Sequence, residues 1–504
     1  MSAAIDKIWD IAVLGTGMGG AMAGRRLAEA GHSVLFIERG SENDITEIGV
    51  PADVDGRAEL ASTYAATGGM SRIYGGALER PDRHDIEARE GRPHPTGGWP
   101  IAYASLSPYL DEMERLFEVR GTHDPLSGET PGPLDVPPPM SEREETVFAR
   151  LQATGAHPYR CHVALRYVTG CNECFARPCV ASCRRDADNT GLQPALRTGN
   201  AALLAGSEVR RLTVSGTRVT SAHVVSAAGA AEIRARFFIL AAGTIGSPRI
   251  LLASRCALHP TGIGNRHDLV GRGLMCHPTD LLAVWPGGRL GTDGAQKVLA
   301  LRDAYFVDGM RLGLIQSLGM VTDRGSLQRV LRAHMPWHTA AGRIGDLAIR
   351  ATAMGLHRVL GSAVIFAGLL EDMRVATNRV TLADGNFDAV RVSYEFPPEL
   401  LARRARFRRE MKRLFASWRS MFLSRAPSPN WPHACGTLPF GTTPRDSVLD
   451  RDCRVHGVDN LFVSDASFMP TSTGANPSLV IGANALRVAD AMRAHLREKA
   501  ALVG

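Results

Sequence analysis

Long apolar runs are scarce in this chain of 504 residues. The most apolar stretch away from the ends, 359-VLGSAVIFAGLL-370, is too short to span a bilayer. The start, MSAAIDKIWDIAVLG, lacks the basic and long apolar regions of a signal peptide, and Arg25 and Arg26 fall inside an expected helix instead of an export signal. Blocks of one charge are missing too. Lys and Arg number 58 against 51 Asp and Glu, and the net +7 rests almost wholly on arginine spread along the sequence. No basic helix or aromatic–basic stripe points to a nucleic acid. The 9 cysteines are odd in number, which does not suit a secreted disulfide framework. A cytoplasmic location is the expectation. With 44% hydrophobic and 22% charged residues, the composition is that of an ordinary globular protein, long enough for two domains or one elaborate one.

The opening segment is more specific. Residues 8-IWDIAVLGTGMGGAMAGRRLAEAGHSVLFIERG-40 read as strand, glycine turn, helix and strand. Ile8 to Leu14 suits a buried parallel strand and Val34 to Ile37 a second. Gly15, Gly17 and Gly20 make G-x-G-x-x-G. The first permits a tight turn, the second lets backbone approach a pyrophosphate, and the third lets the helix pack on the strand. The free N–H groups and positive dipole end of that helix then face the phosphates. Glu38, about 20 residues past the glycines, ends the second strand where an acid accepts both ribose hydroxyls. Together these features predict a bound dinucleotide. An acid at this place argues against a 2′-phosphate and leaves FAD or NAD.

Later motifs decide between them. A glycine-rich turn, 67-TGGMSRIYGGALERPDRHD-85, precedes a Trp-Pro turn and amphipathic helix in 97-GGWPIAYASLSPYLDEMERLFEVRG-121. In 237-FFILAAGTIGSPRILLAS-254 an apolar strand and a glycine turn lead to a helix expected to begin near Pro248. Then come 264-GNRHDLVGRGLMCHP-278, 432-PHACGTLPFG-441 and 460-NLFVSDASFMPTSTGANPSLVIGANALRVAD-490, the last a strand ending at Asp465, a loop, and a helix from Pro477 to about Met492.

In this order, from residue 11 to 490, the motifs resemble those of the glucose-methanol-choline (GMC) oxidoreductases, FAD enzymes that oxidise alcohols. The resemblance is nearest to the branch of pyranose oxidases, glycoside oxidases and bacterial sugar dehydrogenases. It implies an α/β fold of p-hydroxybenzoate hydroxylase-like architecture. A Rossmann-type FAD-binding domain would be built from the discontinuous segments 1–120, 190–275 and 430–504. Residues 121–189 would connect, and 276–429 would form an α+β substrate-binding domain with an antiparallel sheet, including the strand-like 377-TNRVTLADGNFDAVRVSYEF-396. The residues implied to hold FAD are Gly15, Gly17, Gly20, Glu38, Gly69, Met70, Ser71, Gly75, Ala242, Gly243, Asp465, Ala466, Asn476, Pro477 and Ser478. Pyranose oxidases tether their flavin through a histidine shortly after G-G-M-S. Ile73 stands there in this chain, so FAD is expected to be noncovalent.

Oxidising an alcohol removes a hydroxyl proton and a hydride from one carbon. The flavin N5 takes the hydride, and a positioned base must take the proton. His433, in H-x-x-G-T, matches the family's catalytic histidine, and Asn476, in N-P, matches its histidine-or-asparagine partner. An imidazole titrates near neutrality, and an amide is a fixed donor and acceptor. The bland alternatives are a core histidine and a helix N-cap, the latter compatible with catalysis. His277 aligns with a family histidine that looks structural or ring-adjacent, and His456 reads as a turn residue.

Cys171, Cys174, Cys179 and Cys183 crowd into C-x2-C-x4-C-x3-C. Four thiolates suit zinc or an iron–sulfur cluster. Membrane-associated fructose and glucose dehydrogenases carry such a cluster at a comparable place, with two adjacent cysteines that this chain lacks. Disulfides and simple packing of reduced thiols are the other readings, and no metal is assigned. The expected substrate is a sugar, glycoside or aminoglycoside-like polyol, with oxygen, a quinone or a redox protein as electron acceptor. The alternatives are a sterol or aliphatic alcohol, an FAD-containing lyase of the same fold, and a non-catalytic flavin carrier.

Overall fold

Ile8–Leu14 forms a strand whose residues from Ile11 onward are buried, as an unbroken apolar run demands, and Val34–Ile37 and Gly229–Leu240 pair with it in parallel. The computed structural model describes residues 7–168, 171, 173–174, 177–288, 290–319, 325, 327–328, 331–332 and 342–501. The first sheet has seven strands. Ala201–Leu204 lies at one edge, and Arg218–Ser226 and Ser207–Ser215 extend the other side. On the edge away from Ile8–Leu14, Gly229–Leu240 serves two further neighbours. Its first half pairs antiparallel with Arg218–Ser226, and Phe238, Ile239 and Leu240 pair in parallel with Leu461–Val463. That shared strand brings the C-terminal segment beside the first glycine turn.

Two helices close on this junction. In Met18–Glu29 a Cβ on Gly20 would lie 2.1 Å from the Gly15 carbonyl oxygen, and one on Gly19 would lie 1.4 Å from that of Ser464. Only glycine permits these approaches. The last helix, Ser478–Ala501, continues past the expected end at Met492. Arg26 ties the layers together, bonding Asp490 at 2.7 Å and Glu112 of the helix Tyr103–Leu116 at 2.8 Å.

The helix expected to begin near Pro248 instead runs Gly243–Ala253, with Pro248 in its interior. A proline there cannot donate to the carbonyl four residues back, which is that of Thr244. The hydroxyl of Thr437 donates to this carbonyl at 2.7 Å. A side chain from the H-x-x-G-T motif thus replaces the bond that Pro248 cannot make.

A second, six-stranded sheet runs Arg419–Phe422, Thr279–Trp285, Val364–Leu370, Gly313–Ser317, Leu299–Leu301 and Tyr159–Arg160. Its pairings are antiparallel. Sheet membership crosses the expected segment boundaries at two places. Tyr159–Arg160 comes from the connecting segment, and the hairpin Thr46–Val54/Arg57–Ala65 pairs with Val390–Tyr394 in a separate four-stranded sheet.

The expectation that the basic residues are evenly spread is corrected by the helix Pro398–Leu414, sequence PELLARRARFRREMKRL. Several of its arginines are spent on internal partners. Arg404 and Arg408 reach Asp280 at 2.6 and 2.5 Å, Arg406 reaches Asp308 and Glu410, and buried Arg403 donates to the Glu371 carbonyl at 2.5 Å.

Candidate active site

The glycine turn carries a cradle. A Cβ on Gly17 would meet nothing within 4 Å, although the turn around it is tightly packed. The open space at Gly17 fits a pyrophosphate beside the N-terminus of the helix Met18–Glu29. Glu38, buried at the end of its strand, accepts from Thr16 N at 3.1 Å, Thr16 Oγ1 at 2.8 Å and Gly40 N at 2.8 Å. A carboxylate offers about four acceptor positions. One remains for a ribose hydroxyl, where the sequence reading expects two hydroxyls to be bound.

Thr16 also accepts from Gly68 N at 3.1 Å, and a Cβ on Gly69 would sit 2.9 Å from Gly17 Cα. The turn carrying Gly69, Met70 and Ser71 therefore lies directly on the first glycine turn. Ser71 is occupied within the protein, donating to the Gly68 carbonyl at 2.6 Å and accepting from Ala187 N at 2.9 Å. The carbonyl of Gly75 accepts from the buried Lys297 at 2.6 Å. Ala242 donates to Ser247 Oγ at 3.1 Å. Asp465 accepts from Gly243 N at 2.9 Å, Ser247 Oγ at 2.5 Å, Ser467 N at 2.9 Å and the Ser467 hydroxyl. These bonds fill its acceptor positions, so the carboxylate locks the Gly243 turn. Ala466 is buried beside it.

Two buried polar atoms of the C-terminal segment, Ser464 Oγ and Asn476 Oδ1, have no hydrogen-bond partner among the described residues. An orphaned buried acceptor is costly unless a ligand satisfies it. Asn476 immediately precedes Pro477, whose carbonyl accepts from Ile481 N at 3.0 Å as the last helix begins at Ser478. The residues present fit a bound FAD: an open cradle at a helix N-terminus, an acid with capacity left for ribose, and unpartnered polar atoms in the C-terminal loop.

His433 is placed by backbone pairing. Met275 N donates to the Cys435 carbonyl at 3.0 Å, and Cys435 N donates to the Met275 carbonyl at 2.9 Å, an antiparallel bridge. His277, two residues after Met275, and His433, two residues before Cys435 at the end of the short helical turn Trp431–His433, are thereby brought together. Gly436 permits the approach, since a Cβ there would lie 2.7 Å from the Gly273 carbonyl oxygen. The two rings meet edge to face with their Nδ1 atoms 3.2 Å apart. His277 is fully buried, and its Nε2 lies 2.8 Å from the Thr473 carbonyl oxygen. Thr473 is three residues before Asn476, so His277 links the two expected catalytic motifs. Burial holds the His277 imidazole down at about 4. Burial, then the nearby His277 and Lys297, hold that of half-buried His433 well below its ordinary value. Both are neutral bases at neutral pH.

Sequence reading undervalued His277 and missed Asp372. This buried carboxylate accepts from Cys276 N at 2.7 Å and Tyr394 Oη at 2.6 Å, and its own N–H donates to Ser472 Oγ at 2.8 Å. It clamps the segment carrying His277 to the loop carrying Thr473. The sequence signal was an apolar strand, 364–370, that ends in two acids with no partner in view. His456 lies in a turn as expected, its Nε2 3.0 Å from Ser447 Oγ.

All 9 cysteines are free thiols. Cys183 Sγ lies 3.5 Å from that of Cys171 and 3.4 Å from that of Cys179. Among the described residues no group of three or more His, Cys, Asp or Glu is arranged to hold a metal ion. Arg184 joins the thiol loop to the flavin-side turn, donating to the carbonyls of Cys174 at 2.8 Å and Tyr74 at 2.7 Å. Among the described residues, no helix is long and apolar enough to cross a membrane.

Models of the GMC oxidoreductase family match residues 18–279 and 376–485. The chain is 28% identical to 6'''-hydroxyparomomycin C oxidase of Streptomyces lividus, the match covering 97% of this chain and 92% of that protein. It is 29% identical to paromamine 6'-oxidase of Streptomyces fradiae, again over 97% and 92%. Among solved structures, pyridoxine 4-oxidase from Mesorbium loti shares the fold with a TM-score of 0.62 at 22% identity, covering 97% of this chain and 99% of that one.

Proposed function

The chain belongs to the GMC oxidoreductase family, an FAD-dependent oxidoreductase acting on CH–OH groups, and we propose that it oxidises a hydroxyl of an amino sugar or similar polyol with noncovalently bound FAD. The observation that carries the reading is the neutral His433, brought beside His277 next to the Met275–Cys435 bridge and linked through Thr473 to the loop of the unpartnered Asn476 Oδ1. FAD, when bound, supplies the hydride acceptor. The turns at Gly15–Gly20 and Gly69–Ser71, the Glu38 carboxylate and the start of the last helix would hold it. His433 takes the hydroxyl proton as general base, and its low proton affinity keeps it unprotonated and ready at neutral pH. Asn476 offers its amide to the substrate oxygen, which fixes the direction of the C–H bond. Ile73, at the place of the tethering histidine of pyranose oxidases, supports dissociable cofactor. The substrate class is supported by two relatives, matched over nearly their whole length, that are named for aminoglycoside-type substrates.

The test is anaerobic mixing of the yellow holoprotein with amino sugars, neutral sugars, small diols and a sterol, watching flavin absorbance. Bleaching by amino sugars first supports the proposal. Bleaching by the sterol or simple alcohols alone would remove the substrate class, and turnover of a hydroxynitrile without bleaching would replace oxidation with lysis.

A further inference from the structure

Two histidines that share a hydrogen bond must divide the protons between them. The partner of His277 Nε2, 2.8 Å away, is the Thr473 carbonyl oxygen. A carbonyl oxygen only accepts, so His277 Nε2 carries the proton. Neutral His277 then has a lone pair at Nδ1. That lone pair faces His433 Nδ1 at 3.2 Å, so His433 supplies the proton of the shared bond. Nε2 of neutral His433 is consequently bare, and it has no partner among the described residues.

We propose that His277 is a positioning residue that holds His433 in the Nδ1–H tautomer, leaving the lone pair of His433 Nε2 to take the substrate proton. This rests on His433 being the base. The substrate O–H and C–H bonds break, an N–H bond forms at His433 Nε2, the carbonyl forms at the substrate carbon, and the hydride would pass to bound FAD. Nothing moves at Nδ1. The resulting imidazolium still donates to His277, now through a charge-assisted bond, which is stronger than the neutral one. His277 passes no proton onward, because its Nε2–H ends on a carbonyl. The charged groups acting on the pair are Lys297, on His433, and Asp85, on His277. Neither Asp85 nor any other carboxylate hydrogen-bonds the His277 ring, so the orienting group here is a second neutral imidazole anchored to backbone.

The closing experiment records the ring-nitrogen NMR spectrum of FAD-loaded protein labelled with ¹⁵N-histidine, with His433→Gln and His277→Asn used for assignment. The expected spectrum has His433 protonated at Nδ1 and bare at Nε2, and His277 the reverse. His277→Leu removes the acceptor and is expected to shift His433 toward the Nε2–H form and to slow flavin reduction by about 10²–10⁴-fold. His277→Asn, which restores an acceptor oxygen, is expected to recover most of that rate and the Nδ1–H signal. A wild-type His433 protonated at Nε2, or a His277→Leu variant with unchanged rate and tautomer, would overturn the proposal. A full reduction rate in His433→Ala beside an Nδ1–H wild-type spectrum would instead fail the base assignment, leaving the hydrogen bond as assigned.

Discussion

Met275 and Cys435 exchange both backbone hydrogen bonds, at 3.0 and 2.9 Å, and this single bridge decides where the candidate base stands. His277 and His433 therefore face each other although 156 residues separate them.

Replacing His433 with Ala tests the base directly. FAD content and substrate affinity should stay near normal, while anaerobic flavin reduction should slow by about 10²–10⁴-fold. Stopped-flow reduction at wild-type speed would remove His433 from the chemistry.

Gly17→Val should give a folded but colourless protein. The new side chain begins where the protein has no atom within 4 Å, so it fills the cradle instead of the core. Circular dichroism should match wild type, and absorbance near the flavin band should vanish. Acid precipitation of the wild type should leave the yellow colour in the supernatant, and colour retained in the pellet would contradict noncovalent binding.

Acid should weaken the fold through His277. Its folded proton affinity sits at about 4, below the unfolded value of about 6.5. Between those values the unfolded chain binds a proton that the native chain refuses. Stability from this group is thus present above about 6.5 and lost as pH falls through about 4, by about 3 kcal/mol in all. Denaturant midpoints measured across that window should slope more steeply for wild type than for His277→Asn. Parallel slopes would mean that His277 does not stay neutral on folding.

Thr437→Val is nearly isosteric but leaves the Thr244 carbonyl without its donor. An unsatisfied buried acceptor costs about 1–3 kcal/mol. A urea midpoint equal to wild type would show that Pro248 is accommodated some other way.

Asn476→Asp and Asn476→Ala separate positioning from charge. Both should slow flavin reduction, because the amide beside the substrate oxygen is lost. Asp adds a negative charge where negative charge develops, so it should also lower the flavin potential more than Ala does. Equal potentials in the two variants would place Asn476 away from the ring.

The sequence by itself determined the dinucleotide unit, because the apolar run, the three glycines, the helix and Glu38 act within one short stretch. Steric limits on a tight turn are local, so they are legible in local residues. His433 and Asn476 were readable through the resemblance of their motifs to those of the family. Other features depended on contacts between distant segments, which no local pattern encodes. Pro248 looks like a helix start until Thr437 supplies the missing bond to Thr244. The hairpin Thr46–Val54/Arg57–Ala65 sits among the cofactor-binding segments in sequence, yet pairs with Val390–Tyr394. Two arginines of the basic helix Pro398–Leu414, Arg404 and Arg408, find their partner in Asp280, more than a hundred residues earlier. Asp372 and His277 acquired roles only when the fold set them against the loop carrying Ser472 and Thr473, 100 and 196 residues further on, for a side chain's hydrogen-bond partner is fixed by the tertiary structure and not by its neighbours in sequence.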